Sequence, residues 1–440
     1  MNKMIMFIIS VYPVLNKILL PVFLSIMLLI VSSNYSSDIQ ASSHKTDQKQ
    51  NSKAPLIRQK IYQKLSTAQQ LVQNKKYREA TDILDQIKDD RRLNSTELAQ
   101  LWNFYAFIYF SQDLYPQAIE AYETLLAQPE LQAGIKTSTL YTLSQLNFMT
   151  ENYAQALARI QQWIALSEQP SADAYALLGQ AYYKLEQFKN AISSLNTAIA
   201  VSRTSGKMVK ENWYLLLRAS HYELKDYKSM AFVLKELVSI YPKPQYFKDL
   251  AGAYSQLGDT TKQLAIMETM YEKGQLNRAT EIKNLASLLL IHEVPYKAAK
   301  IIDKAITDGI LKKTAKNYEL LSQSWIQARE DKRAIEPLTK AARLSDQGEP
   351  WIKLSRAYIN LDQWPQAVQS LEHGLQKKGV KQADSSYILL GMSYYNLKQL
   401  KKAMQAFSKA QQISKNKHNK NTASQWIKYL QTEIQRAASS

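Results

Sequence analysis

The chain has 440 residues, 45% hydrophobic and 21% charged, and a formal net charge of +18. That length exceeds what one compact core serves, so several domains or an elongated repeat array are expected. Cysteine is absent, which excludes disulfides, thiolate zinc sites, a cysteine nucleophile and an acylated lipoprotein anchor. The positive charge suits nucleic acid, an anionic membrane surface or an acidic partner, and does not choose among them.

At the N-terminus, Lys3 precedes a largely apolar run to Val31, broken by Pro13, Asn16, Lys17 and Pro21. Its cleanest stretch, "ILLPVFLSIMLLIV" (Ile18–Val31), has the length of a signal-peptide core rather than of a full membrane span. Polar and small residues follow, with a cleavage site expected near Ala41. Residues 1–41 therefore read as a signal peptide or, if uncleaved, an inner-membrane anchor, and 42–57 as a polar linker. Either reading places the remainder outside the cytoplasm, in a bacterial periplasm.

From there on, one register recurs. Tyr175, Leu178, Gly179, Tyr182, Phe188, Ala191, Leu195 and Ala198 align with Trp102, Tyr105, Ala106, Tyr109, Tyr115, Ala118, Tyr122 and Leu125. They align again with Tyr387, Leu390, Gly391, Tyr394, Leu400, Ala403, Phe407 and Ala410. Ten units begin near residues 61, 99, 137, 172, 211, 244, 279, 315, 348 and 384, at spacings of 33 to 39 residues. This pattern resembles the tetratricopeptide repeat. It implies an all-α superhelical solenoid of helix-turn-helix units.

The offsets have a physical reason. Bulky residues at i, i+3 and i+7 give the first helix one buried face. A small residue at the eighth position (Ala68, Ala106, Gly179, Ala251, Ala286, Gly391) lets the second helix approach. A small residue at the twentieth (Ala80, Ala118, Ala156, Ala191, Ala298, Ala334, Ala367, Ala403) meets it. Short polar turns such as "NKKY", "TENY" and "NLDQW" end in the residue that starts the second helix. The fifth unit breaks the rule with Arg218 and Met230, and the sixth with Gln263, so a looser joint is expected around 211–277. Residues 58–210 and 211–417 form N- and C-terminal repeat sets. Residues 418–440 form a capping helix and tail, with Trp426 and Tyr429 facing inward.

No catalytic constellation is evident. His44, His221, His292, His373 and His418 are dispersed, and no metal-ligand spacing, nucleophile elbow or phosphate-binding glycine loop occurs. The expectation is a non-enzymatic chain without cofactor or metal. Surface is what remains. Positions 2, 5, 9, 12 and 13 of each unit should line the concave face. They give Asn103, Phe107 and Phe110, then Tyr141, Gln145 and Phe148, Gln180 and Tyr183, and Asn212 and Tyr222. Rings mixed with amides suit a peptide groove, though the rings would equally pack between units.

The second surface is basic. Between Gly391 and Thr432 no acidic residue occurs, while Lys398, Lys401, Lys402, Lys409, Lys415, Lys417, Lys420 and Lys428 do. The stretch "SKNKHNKN" within it reads as an exposed loop. Such a surface suits an acidic partner or phospholipid headgroups, or it is simply a solvated end. Nucleic acid is not expected, because the chain reads as exported and shows no base-stacking module.

Several stretches are more specific than the repeat. They include "ENWYLLLRASHYELKDYKSMAFVLKELVSIYPKPQYFKDLAGAYSQLGDTTKQLAIMETMYEKGQL" (211–276) and "EVPYKAAKIIDKAITDGILKKTAKNYELLSQSWIQARE" (293–330). With "PWIKLSRAYINLDQWPQAVQSLEHGLQKKGVK" and "ASQWIKYL", they resemble tetratricopeptide proteins associated with TonB energy-transduction systems of gammaproteobacteria. The likeness covers roughly residues 60–432. It implies an exported accessory scaffold for machinery containing TonB, ExbB and ExbD, which powers outer-membrane uptake of iron complexes. An envelope-assembly adaptor outside that system is the alternative.

Overall fold

The computed structural model describes residues 57–439. The expected signal peptide or anchor and nearly all of the linker lie outside the described residues. From Arg58 onward, helices follow one another in pairs joined by tight turns. The first five pairs are α1–α2 (Gln59–Gln73, Tyr77–Lys88), α3–α4 (Ser95–Ser111, Tyr115–Leu126), α5–α6 (Ala133–Met149, Tyr153–Leu166), α7–α8 (Ala172–Lys184, Phe188–Thr204) and α9–α10 (Glu211–Glu223, Tyr227–Ile240). The next five are α11–α12 (Pro244–Gln256, Thr260–Glu272), α13–α14 (Ala279–Ile291, Pro295–Thr307), α15–α16 (Ala315–Gln327, Asp331–Leu344), α17–α18 (Glu349–Asn360, Trp364–Gln376) and α19–α20 (Ala383–Asn396, Leu400–Ile413). A last helix, α21 (Lys417–Ser439), closes the series. The ten pairs fall on the ten units of the sequence.

Close approach within each pair depends on the small positions. The alanines at position 20, from Ala80 to Ala403, are all at most 1% exposed. Opposite them, a Cβ added to Gly179 would lie 2.8 Å from Leu195 Cγ, and one on Gly391 would lie 2.7 Å from the Phe407 ring. Phe407 has no room to yield, because its face stacks on Trp426 at 5.2 Å and 4°.

Every turn inside a pair is built alike. The fifteenth residue of each unit has positive φ: Lys75, Asp113, Glu151, Glu186, Lys225, Gly258, Glu293, Arg329, Asp362 and Lys398. Its N–H bonds back three residues, and the next N–H bonds back five, as in Lys398 to Tyr395 O (2.8 Å) and Gln399 to Tyr394 O (2.9 Å). This is the Schellman closure of a helix C-terminus, which satisfies the orphan carbonyls. Nine units hold a non-glycine residue there despite a cost of about 1 kcal/mol each.

The irregular units differ as their residues require. Arg218 cannot lie flat against a partner helix, so its guanidinium pairs with Asp249 of the following unit. Met230 enters the core, and Gln263 is buried at 6% exposure. The α12–α13 junction, just beyond them, has the sparsest packing of any between consecutive helices. The core nevertheless runs unbroken across residues 210 and 211, where Leu195 and Ile199 share one cluster with Trp213 and Tyr214.

The terminal helix departs from expectation in two ways. It begins at Lys417, inside the stretch read as a loop, because the Asn416 side chain accepts from the backbone N–H groups of His418 (2.9 Å) and Asn419 (3.4 Å). Its inward face is Ala423, Trp426 and Leu430. Tyr429 sits at the margin, 45% exposed, its hydroxyl 3.0 Å from that of Tyr395.

Ion pairs tie several units to their neighbours. Arg159–Glu123 (2.7 Å), Lys243–Glu211 (2.6 Å), Lys248–Glu281 (2.7 Å) and Lys353–Glu319 (2.8 Å) all span one repeat. The most buried is Glu97, whose side chain is fully enclosed. It takes N–H donors from Arg58 (2.8 to 3.1 Å) and Asn94 (3.1 Å), while its own N–H donates to Asn94 Oδ1 (2.9 Å). Burial raises its pKa, but the Arg58 and Asn94 donors outweigh that and hold it below the usual range.

Two predictions follow from this packing. Gly391→Ala lowers the urea midpoint, because overpacking of about 1–3 kcal/mol exceeds the roughly 1 kcal/mol of helix propensity gained. Gly252→Ala raises it, since nothing lies within 4 Å of a Cβ there. Equal effects at both sites would refute the packing account. Glu97→Gln costs about 1–3 kcal/mol at pH 7. Because the folded pKa is lowered, that penalty holds above the unfolded value near 4.3 and vanishes as pH falls through the folded one. Denaturation of both proteins across pH 2–7 checks the convergence.

Candidate functional site

The structure distributes the sequence-derived groove residues unevenly. Phe110, Phe148, Tyr183 and Tyr222 all occupy position 12, the last full turn of a first helix. Each packs against the ring that opens the second helix: Tyr115 at 5.9 Å, Tyr153 at 5.3 Å, Phe188 at 5.5 Å and Tyr227 at 6.4 Å. Phe110 is buried at 8% exposure. These rings are largely committed to closing their own turns, and Tyr222 alone of the four is exposed, at 43%. Tyr141 lies against Trp163 at 5.2 Å. Burial, then the charge of Asp173, pushes its hydroxyl up to about 12. Asn103, Phe107, Gln145 and Gln180 are half-buried and Asn212 is exposed.

A better-formed concavity lies further along the chain. The first helices α15, α17 and α19 and the start of α21 enclose a groove of about 940 Å³. Its first wall carries Glu319, Gln323, Ile326 and Gln327, its middle Lys353, Arg356, Ile359 and Asn360, and its far wall Gln382, Ser385, Ile388 and Asn419. Most of these are positions 5, 9, 12 and 13 of units eight to ten. The rule that selected residues 103–222 therefore finds this groove when carried to the C-terminal units.

The groove's polar groups are partly committed to one another. Lys353 Nζ pairs with Glu319 Oε2 at 2.8 Å. Asn360 Nδ2 donates to Asp331 Oδ2 at 3.2 Å, and Asn419 Nδ2 donates to Ser385 Oγ and Asp384 Oδ2, both at 3.0 Å. Asp384 also accepts from Ser414 Oγ (2.7 Å), and these donors hold its pKa down. Arg356 is different. It is exposed in the middle of the groove and has no ion-pair or hydrogen-bond partner among the described residues.

The basic residues Lys398, Lys401, Lys402, Lys409, Lys415, Lys417, Lys420 and Lys428 are all exposed, and none forms an ion pair among the described residues. Lys398 lies over the Tyr395 ring at 5.7 Å and Lys402 over Tyr394 at 5.4 Å. Lys401 and Lys409 border a separate shallow depression floored by Met404 and Ile434. Lys415, Lys417 and Lys420 sit beside His418 and Asn419, which line the groove.

Neither surface has the groups of a reaction centre. No cluster of His, Asp and Glu able to hold a metal occurs among the described residues. Three of the histidines have structural partners: His292 Nε2 meets Thr260 Oγ1 at 3.0 Å, His373 stacks on Trp351, and His221 Nδ1 lies 3.2 Å from Asp226 Oδ2. Burial, opposed by Asp226, lowers the pKa of His221. No helix among the described residues is long and apolar enough to cross a membrane. What the groove offers is amides, aliphatic side chains and one uncommitted cation.

Two family models match parts of the chain. The tetratricopeptide repeat matches residues 384–417, which is the tenth unit, and the RNPP family C-terminal domain matches residues 75–211. No curated protein matches. Among solved structures, a tetratricopeptide repeat protein from Parabacteroides merdae is 16% identical over 60% of this chain and 99% of its own, with a TM-score of 0.34. The C-terminal part of a repeat-containing protein from Cytophaga hutchinsonii is 14% identical over 64% and 95%, at 0.36. YrrB, described as a tetratricopeptide protein with an unusual peptide-binding site, is 15% identical over 44% and 97%, also at 0.36. Likenesses of this size carry nothing about what this chain binds. The repeat period, the buried small positions and the match at the tenth unit agree that the described residues form a tetratricopeptide-repeat solenoid.

Proposed function

We propose that this protein is a non-enzymatic scaffold that holds a protein partner in its concave face. The observation that carries this is the groove across α15, α17, α19 and α21. Exposed amides there stand ready to bond a peptide backbone, and the partly buried Ile326 and Ile359 stand ready to receive its side chains. A solenoid suits the task, because each unit adds its own increment of surface to one continuous face.

The finer reading is a periplasmic accessory of a TonB, ExbB and ExbD system. It is supported by the resemblance of residues 211–276, 293–330 and 350–381 to that family and by the signal-like N-terminus. The partner would then be a periplasmic segment of one of those proteins.

The test uses the tagged full-length chain on detergent-solubilised envelopes, followed by titration with the periplasmic segments of TonB, ExbB and ExbD. A Gln323→Trp variant runs beside it; Gln323 is exposed, so the ring fills the groove without disturbing the core. Wild type captures TonB-system proteins, and the variant loses about tenfold in affinity, as expected when a side chain occludes a binding cleft. Recovery of other envelope proteins instead would remove the TonB reading and leave the scaffold. Undiminished binding by the variant would remove the groove.

A further inference from the structure

The concave groove and the acid-free C-terminal segment, separate features in the sequence, meet in space. The groove's far wall is the start of α21, where His418, Asn419 and Thr422 line the cavity. Lys417 and Lys420 belong to the same first turns and are exposed, and Lys415 immediately precedes them. Several earlier unit boundaries pair a cation with a carboxylate of the adjacent unit, as in Lys248–Glu281 and Lys353–Glu319. The last unit has no such partner. Its carboxylate Asp384 is held by Ser414 and Asn419 instead. Arg356 adds an uncommitted guanidinium on the groove floor.

We propose that the occupant of this groove is an extended acidic segment of a partner protein, one of whose carboxylates Arg356 grips while the lysine-bearing wall of α21 receives others. This rests on the scaffold reading and names the chemistry of its ligand. Three features select that ligand. An uncommitted guanidinium in a cleft is matched by a carboxylate, with which it forms paired N–H···O bonds. Amides at Gln323, Gln327 and Gln382 need a chain whose backbone groups are unpaired, which an extended segment has and a helix lacks. The isoleucines need aliphatic side chains beside the acids. A lipid headgroup layer fits less well, because Arg356 stands between the walls of a concave groove rather than on a flat surface. Lysines facing elsewhere, such as Lys401 and Lys409, would serve a membrane better.

The experiment measures fluorescence anisotropy of a labelled peptide of Asp, Leu, Ser and Gly, its Asp→Asn counterpart, and vesicles of phosphatidylglycerol with phosphatidylethanolamine. The proteins are the full chain, Arg356→Glu, Lys417→Glu with Lys420→Glu, and Lys401→Glu with Lys409→Glu. All the altered side chains are exposed, so folding is retained and is checked by circular dichroism. The acidic peptide binds and its Asn counterpart does not. Arg356→Glu weakens binding about tenfold, and the Lys417 and Lys420 pair weakens it about threefold and flattens its salt dependence. The Lys401 and Lys409 pair leaves it unchanged. Peptide binding that only the Lys401 and Lys409 variant abolishes would move the site to the outer depression and overturn the proposal. So would binding to vesicles but not peptide, or to neither. If Arg356→Glu still captures the wild-type envelope partner while Gln323→Trp does not, the scaffold reading stands and the acidic ligand falls.

Discussion

The fold depends on how closely the two helices of each unit approach. With Gly or Ala at position 8 and Ala at position 20, the backbones come near enough that Leu195 or Phe407 fills the space a side chain would take. That contact leaves the outer flank of each pair apolar and uncovered, and only the next pair covers it. The core is consequently a chain of overlapping clusters. Ala176 to Tyr254 contribute to one, Ala251 to Ala357 to the next, and Ile352 to Leu430 to the last. Where the small-residue rule fails, at Arg218 and Gln263, the neighbouring units are joined differently. An ion pair to Asp249 replaces flat contact, and the sparsest helix junction follows.

The same economy explains which aromatic residues are available to a partner. A Schellman turn with its fifteenth residue in the left-handed region places positions 12 and 17 side by side. Rings at those positions therefore find each other before they find a ligand, as Phe148 finds Tyr153 and Tyr183 finds Phe188. In units eight and nine, position 12 is Ile326 and Ile359, and position 17 is Asp331 and Trp364. No ring pair closes the unit-eight turn, and aliphatic surface stays on the concave side. The groove forms where the turn chemistry lets it.

The architecture was legible because one rule repeats ten times. Spacing, small positions and turn residues each located the helices, and the two irregular units were visible as the places where Arg218, Met230 and Gln263 stand. The terminal helix was less legible, because a lysine- and asparagine-rich stretch looks like loop until the Asn416 cap is seen. For the candidate site, the position rule also picks out groove-lining residues in units eight to ten. Looking for rings mixed with amides directed attention to residues 103–222 rather than to the amides and isoleucines of the later units. Sequence does not show that Phe110 is spent on Tyr115, that Lys353 is neutralised by Glu319, or that Arg356 is left over. Those facts depend on which side chains of adjacent units meet, and only packing decides that.

The position of the groove gives it a property beyond its chemistry. Leu354, near its middle helix, belongs to the cluster running back to Ala251, while Ile352, two residues earlier, belongs to the cluster running on to Leu430. The walls of the groove are thus anchored in two different cores that overlap at α17. In a solenoid, stability is close to a sum of units and their interfaces, so sections anchored in different cores can open separately. A ligand that contacts Gln323 on one wall and Asn419 on the other spans both sections. Binding to the assembled stack alone stabilises the stack by mass action. Occupancy would therefore draw the last two units and the terminal helix into one cooperative block with unit eight. The scaffold's C-terminal end would then be most rigid when its partner is bound.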